Sequence, residues 1–259
     1  MNYGLYLSAT GVLANSHRQD VIANNIANAE THGFKRDVTT FQQRLTEAQM
    51  MAGGHGRTNP LLENIGGGFL VSPTGVDHTQ GELETTSNNL DAAIMGNGYF
   101  AVQDGKETRL TRNGAFSIDR TGYLVMADNP NLKVLDRDQK PIQLDGRYRS
   151  TISLGAFGEI TQNGQAAGQI GMFDVADPSK LAKRGGNLLA NTDDTAAGKQ
   201  LLRAKATLRS EFLERSNVDP AIELTQLMDA QRQLEANANM IRYQDATLGR
   251  LVNDVGKIS

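Results

Sequence analysis

Of the 259 residues, 26 are basic and 29 acidic, for a formal net charge of −3, and 39% are hydrophobic. This composition supports a packed core and excludes wholesale disorder; it also lacks the clustered excess of Lys and Arg that marks a nucleic-acid binder. The chain has no Cys and no Trp, which excludes disulfides, thiol catalysis and thiolate metal sites and leaves the core to aliphatic residues and Met.

No stretch reaches the ~18 apolar residues of a membrane-spanning helix. The first charged side chain is Arg18, and Asn2, Gly4, Ser8, Thr10 and Asn15 interrupt the run before it, so no secretory signal is expected. By itself this points to the cytoplasm, with a secretion route that needs no cleaved signal as the exception.

Residues 1–50 are expected to form an N-terminal helical domain. Leu5, Ala9, Val12, Ser16, Gln19, Ala23 and Ile26 follow at intervals of four and three, a stripe of mostly small residues. Gly4 and Gly11 each weaken an isolated helix by roughly 1 kcal/mol relative to Ala, so this helix needs a partner over its face. It should end near Asn28, ahead of Thr31-His32-Gly33, with a second polar-faced stretch through Met50. Residues 51–75, with seven glycines and two prolines, read as a linker or docking loop. Leu61, Leu62, Ile65, Phe69, Leu70 and Val71 lie inside it, which favours docking over a solvated tether.

Residues 76–210 read as a central β domain. Turn signals stand at Gly96-Asn97-Gly98, Asp104-Gly105, Asn113-Gly114, Arg120-Thr121-Gly122, Asp128-Asn129-Pro130 and Asp145-Gly146. The first four are spaced as in an all-β sandwich or barrel, ~8–12 residues per strand and turn. Strands are expected at Tyr99–Val102, Arg109–Thr111, Ala115–Ile118, Leu124–Met126, Ile152–Leu154, Glu159–Thr161 and Gln169–Val175. Asn113-Gly114 is the strongest hairpin signal, because a type I′ turn needs positive φ at both central residues.

Residues 211–259 return to helix. Asp219 can cap and Pro220 suits the first helical position; no Gly or Pro then occurs until Gly249. Leu227, Leu234, Ile241, Leu248 and Val255 repeat every seven residues, with Leu224, Ala238 and Val252 three residues before three of them. A sustained seven-residue repeat points to a coiled-coil seam; the alternative is one amphipathic helix laid on the β domain. The expected fold is therefore α+β, with N- and C-terminal helices paired as a coiled coil and an all-β central domain inserted between them. Head-to-tail contacts between such pairs would propagate as a helical filament. Asn24, Asn25, Asn28, Asn237 and Asn239 lie on or beside the helical faces, where amides either fix register or are simply solvated.

The chain carries no catalytic constellation. His17, His32, His55 and His78 are scattered, and no cofactor or metal is expected. The pairs Asp193-Asp194 and Asp136/Asp138 sit among turn residues, where Asp favours local backbone bonds. The glycine runs at 53–56 and 66–68 lack the GK[ST] and strand–helix frame of a phosphate loop. An enzyme acting on carbohydrate or peptidoglycan is the runner-up reading, resting on those carboxylates alone.

Residues 21–36, VIANNIANAETHGFKR, resemble the N-terminal signature of the bacterial flagellar rod and hook protein family. The similarity continues through TQGELETTSNNLDAAIMGNGYFAV (79–102), LTRNGAFSIDRTGYLV (110–125) and NGQAAGQIGMFDV (163–175), and closes with FLERSNVDPAIELTQLMDAQRQLEANANMI (212–241). The opening MNYGLYLSATG is nearer the proximal than the distal rod proteins. The resemblance implies a structural subunit with no enzymatic activity, exported unprocessed through the flagellum's type III channel. It further implies polymerisation in the periplasm into a shaft that transmits torque from motor to hook. The implied partners are identical copies, other rod and hook proteins, the surrounding bushing rings and, transiently, the export apparatus. Ala23, Asn24, Asn25, Ile26, Ala27, Asn28, Gly33 and Phe34 match the N-terminal signature; Glu214, Ser216, Asn217, Val218, Gln231 and Arg232 match the C-terminal block. With the stripe residues Leu5, Val12, Leu227, Leu234, Ile241 and Leu248, these are the candidate assembly residues. Ala29-Glu30 and His32 depart from the more hydrophobic or small polar residues that the family pattern places before Gly33-Phe34.

Overall fold

The computed structural model describes residues 3–43, 68–105, 107–145, 152–192 and 201–255. The second helical stretch expected through Met50 is β where it is described, at Asp37–Val38 and Phe41–Gln43; residues 44–50, the linker up to residue 67, Asp193-Asp194 and the second residue of the Asp145-Gly146 turn lie outside the described residues. The fold is α+β, an N-terminal and a C-terminal helix with a β-rich region between them in sequence. The described residues belong to two compact units. One takes Met1–Ile26, Asp37–Gly75 and Asp219–Ser259; the other takes Ala27–Arg36 and Val76–Val218.

The first unit is built on helix α1 (Tyr3–Ala27) and helix α2 (Pro220–Val255). The start of α2 follows the expected chemistry. The Asp219 carboxylate accepts from the Ala221 and Ile222 N–H groups at 2.9 and 3.3 Å, and Pro220 occupies the first turn. At 1.5 Å per residue α2 is about 54 Å long. Between the helices in sequence, Phe41–Gln43 pairs antiparallel with Phe69–Val71. Phe69, Leu70 and Val71 of that ribbon are about half exposed.

The second unit holds the β structure. Its main sheet runs in the order Leu181–Lys183, Leu189–Asn191, Glu107–Thr111, Tyr99–Asp104, Lys133–Val134, Leu124–Met126, Phe116–Ile118, with Met172–Asp174 joined to Tyr99–Asp104 and to Leu202–Arg203. A three-stranded sheet comprises Ile152–Leu154, Glu159–Gln162 and Gln165–Gln169. Thr207–Ser210 pairs with Ala92–Met95, and Phe212–Glu214 with Leu83–Thr85. Alternate residues of these strands bury a core around Phe100, Phe116, Leu124, Val102 and Ile160, with the Phe100 and Phe116 rings edge to face at 5.0 Å. A second cluster packs Tyr99, Leu110, Phe173, Leu181 and Leu189.

Two expectations about strands need correction. Asn113-Gly114 does not close a hairpin: Glu107–Thr111 and Phe116–Ile118 are not neighbours, and neither residue has positive φ. The Asn113 side chain instead accepts from the Ala115 N–H at 3.0 Å and donates to Asp128 at 2.8 Å, which holds the segment open. Gly114 is there for close approach, since a Cβ would stand 1.6 Å from the Ala92 carbonyl oxygen. The Asn-Gly pair with positive φ at both residues is Asn163-Gly164 (φ 54° and 76°), between Glu159–Gln162 and Gln165–Gln169. The second correction concerns Gln169–Val175, which is split at Gly171, where the Asp136 carbonyl leaves no room for a side chain.

Candidate functional site

The helix faces of the first unit come first. Along α1 the most deeply buried residues are Ser8, Ile22 and Asn25, while Tyr6, Leu13, Ser16, Asp20, Ala23, Asn24 and Ala27 are exposed. Along α2, Glu223 and Ala230 are buried and Leu227, Leu234, Asn237, Ile241, Gln244 and Leu248 half-buried. Contacts tie the two helices together. A methyl group on Gly4 would stand 2.6 Å from Gln244 Nε2, and one on Gly11 2.8 Å from Asn237 Nδ2. Asn25 Nδ2 donates to Glu223 Oε2 at 3.4 Å and to the Asp37 carbonyl at 2.9 Å, while its Oδ1 accepts from the Asp37 N–H at 2.9 Å.

The α2 column of Leu227, Leu234, Ile241 and Leu248 thus lies on the inward side. Its companion column is Glu223, Ala230, Asn237 and Gln244, one residue before Leu224 and its repeats. Leu224 and Val252 are 50% and 72% exposed. Ile222, Met228, Met240 and Tyr243, at other positions around α2, are each more than half exposed as well. On α1 the expected stripe is likewise displaced: Ala23 and Ser16 are exposed, and Leu5, Val12 and Ile26 are intermediate. Gln231 and Arg232 are exposed on α2, with Gln231 donating to Glu235 at 3.3 Å.

The remaining signature residues sit in the second unit, around a buried ionic cluster. Glu214 is fully buried; Lys35 Nζ donates to its Oε1 at 2.5 Å and Arg112 Nη1 to its Oε2 at 3.1 Å. The Gly81 N–H adds a bond to Oε1 at 3.0 Å, and the Gly33 N–H donates to the Glu214 carbonyl at 2.7 Å. Lys35 also donates to the Thr79 carbonyl at 2.6 Å, and Arg112 to that of Gly96 at 2.8 Å. Burial pulls the Lys35 ammonium below its ordinary pKa, opposed by the Glu214 carboxylate. Gly33 has φ +69°, and a Cβ there would lie 2.3 Å from the Asn113 backbone nitrogen, so only glycine fits.

Asn217 closes the same region. Its Oδ1 accepts from the Arg36 N–H at 2.7 Å and its Nδ2 donates to the Asp77 carbonyl at 3.0 Å. Phe34 packs with Ala29 and Val218, and Lys183 Nζ stands 3.5 Å from its ring centre. Asn28 accepts from Thr31 through both its carbonyl and its side chain, and Ser216 Oγ accepts from the Val218 N–H. Burial of Asp77 would raise its carboxyl, but the Thr79 N–H and hydroxyl, Arg36 and Lys35 together hold it below the ordinary value. Burial lowers His78, whose Nδ1 lies 2.8 Å from the Tyr99 hydroxyl and whose Nε2 lies 3.1 Å from the Pro178 carbonyl; burial also pushes Tyr99 up to about 12.

Lys35, Asp77, Thr79 and Arg112 are not among the candidates read from the sequence. All but Asp77 stand inside blocks that carry the resemblance, and an unpaired-looking Lys or Arg beside an obligatory glycine was the available signal. Asp136, half of a candidate carboxylate pair, spends Oδ1 on the Asp138 and Lys140 N–H groups at 2.8 Å each. It shapes its own turn. No helix among the described residues is long and apolar enough to cross a membrane.

Three family models match in chain order: "Flagella basal body rod protein" over residues 5–35, "Flagellar hook protein FlgE/F/G D1 domain" over 93–162, and "Flagellar basal body rod FlgEFG protein C-terminal" over 209–254. The chain is 34% identical to the flagellar basal-body rod protein FlgG of Bacillus subtilis, over 96% of this chain and 97% of that protein. It is 31% identical to the rod protein FlgF of Mesorhizobium japonicum over the whole of both chains. With the flagellar hook protein FlgE of Treponema pallidum it shares 39% identity, over 50% of this chain and 28% of that one. Side chains spent on holding segments together, and relatives that carry rod and hook names, mark a structural protein. The chain belongs to the flagellar basal-body rod protein family.

Proposed function

We propose that this chain is a self-assembling subunit of the periplasmic flagellar rod, the shaft that carries torque from motor to hook, and that it stands in the proximal rod. In this reading α1 and α2 pair as an antiparallel coiled coil in a helical rod domain, narrower than residues 1–50 and 211–259 because Ala27–Arg36 and the stretch up to Val218 go with the β unit. Residues 51–75 serve as a linker or docking loop, and residues 76–210 supply the central β domain. The outer face of α2 takes the helices of identical copies and of other rod and hook proteins, next to the bushing rings. Export proceeds through the flagellar type III channel without a cleaved signal.

The observation that supports this best is the outward display of Ile222, Leu224, Met228, Met240, Tyr243 and Val252 on one helix. That many exposed large apolar side chains on one helix mark a contact surface. The B. subtilis and M. japonicum relatives carry rod names and align end to end, whereas the T. pallidum hook protein aligns over a fraction of its length, which favours rod over hook. Deleting residues 220–259 is expected to leave a folded β unit and to abolish rod assembly and swimming; normal swimming after that deletion would overturn the reading. Electron microscopy of basal bodies from a strain lacking the gene tests the position. Arrest at the base of the rod is expected, and a rod that stops short only at its far end would assign the subunit to the distal segment.

A further inference from the structure

The contacts between α1 and α2 obey one register. Seven residues forward on α1, from Gly4 to Gly11, are matched by seven back on α2, from Gln244 to Asn237; fourteen further forward, at Asn25, the partner is fourteen further back, at Glu223. The same step sets Arg18 against Ala230, which is fully buried. Three contacting pairs, with Arg18 and Ala230 at the remaining position of the same step, therefore lie along one antiparallel seam. Leu251 stands in the same column of α2 beyond Gln244 and is 56% exposed.

Small residues stand opposite larger ones along this seam. Glycine faces Gln244 and Asn237, while Ala230 stands where Arg18 must fit. We propose that these four positions are a register lock: small residues on one helix admit long polar side chains from the other, and the Asn25–Glu223 bond, anchored on the Asp37 backbone, fixes the end. The occupant of the α1 face is the chain's own α2, so the inference rests on the pairing proposed above and specifies its residues. A lock is needed because the Leu227, Leu234, Ile241, Leu248 column repeats every seven residues and would accept a slip of one heptad almost unchanged. A slip in one direction would set Gly11 against Ala230 and leave a gap. In the other direction Asn25 would meet Ala230, leaving the Glu223 carboxylate without it. Among many similar helices in one assembly, such mismatches select the correct partner by penalising the wrong ones.

The chain has no cysteine, so paired Cys substitutions in the full-length protein report register directly. Gly11→Cys with Asn237→Cys is expected to form an intramolecular disulfide under mild oxidation at least tenfold faster than Gly11→Cys with Ala230→Cys or with Gln244→Cys. Equal or faster closure of either slipped pair would overturn the register while leaving helix pairing intact. Cross-links found only between chains would overturn the pairing itself. As a second measure, Gly11→Asn alone is expected to cut the swimming-halo diameter at least twofold, and Gly11→Asn with Asn237→Gly to restore most of it. No rescue in cells with normal protein levels would overturn size complementarity.

Discussion

Glu214 holds two cations out of water, and the arithmetic of buried charge makes it the residue on which the β unit is most exposed to change. Glu214→Gln leaves Lys35 and Arg112 buried without a counter-charge, a class of change that costs roughly 3–5 kcal/mol. A drop of that size in the urea-unfolding free energy of the full chain is the expected outcome, and Lys35→Met added to it should recover part of the loss. His78 gives a pH signature. Its folded pKa lies below the ordinary 6.5 because burial opposes the charged ring, so below pH 6.5 the unfolded chain binds a proton that the folded one does not. The stability this residue contributes is therefore complete above 6.5 and is lost as pH falls through the folded value. The urea midpoint of the wild type should fall faster between pH 6.5 and 5 than that of His78→Gln, and parallel curves would contradict the assignment. Which residues carry these roles was only partly legible. Gly33 and Glu214 stood out within the resembling blocks, but that Lys35 and Arg112 converge on one carboxylate from distant parts of the chain is a fact of tertiary structure.

At the scale of elements, α2 shows how far local chemistry reaches. Asp219 and Pro220 define its start in sequence and in structure alike, and Asp219→Ala should cost about 1 kcal/mol. The loss is expected to appear as faster hydrogen exchange at the Ala221 and Ile222 amides, which it now binds. The face was harder to read than the start. Hydrophobic spacing selects the Leu227, Leu234, Ile241 and Leu248 column, which is half-buried, but beside it selects Leu5 with Val12 and Leu224 with Val252, whereas the companion contacts run one residue earlier through Gly4, Gly11, Asn25, Glu223 and Asn237. Leu224 and Val252 are left exposed, while Leu5 and Val12 are intermediate. Met228→Asp combined with Val252→Asp should therefore leave the melting temperature of the monomer within about 2 °C while abolishing assembly into rods; a large stability loss would mean that this face is internal. In the β unit, strand positions followed from alternation and turn residues, yet Asn113-Gly114 and Asn163-Gly164 look alike in sequence and only one of them turns a hairpin. The deciding contact, the Ala92 carbonyl against Gly114, comes from more than twenty residues away.

For the whole molecule, the order helix, β region, helix was written in periodicity alone: 3.6- and 7-residue repeats at the ends, period two with Gly and Asn turns between them. Membership of the rod family was equally visible, because its signature blocks are local strings. Composition and the lack of Cys set aside nucleic-acid binding and thiol chemistry without any coordinates. The tertiary structure alone decided which helix face turns inward, that the signature residues divide between a helical unit and a buried ionic cluster, and that the segment Ala27–Arg36 belongs with the β unit and not with the helix it follows. The physical reason is the same in each case. Periodicity records how apolar a face is, but a small glycine opposite a long amide, or a carboxylate between two cations, gains its energy from a partner far away in the chain, and spacing along one segment carries no trace of that partner.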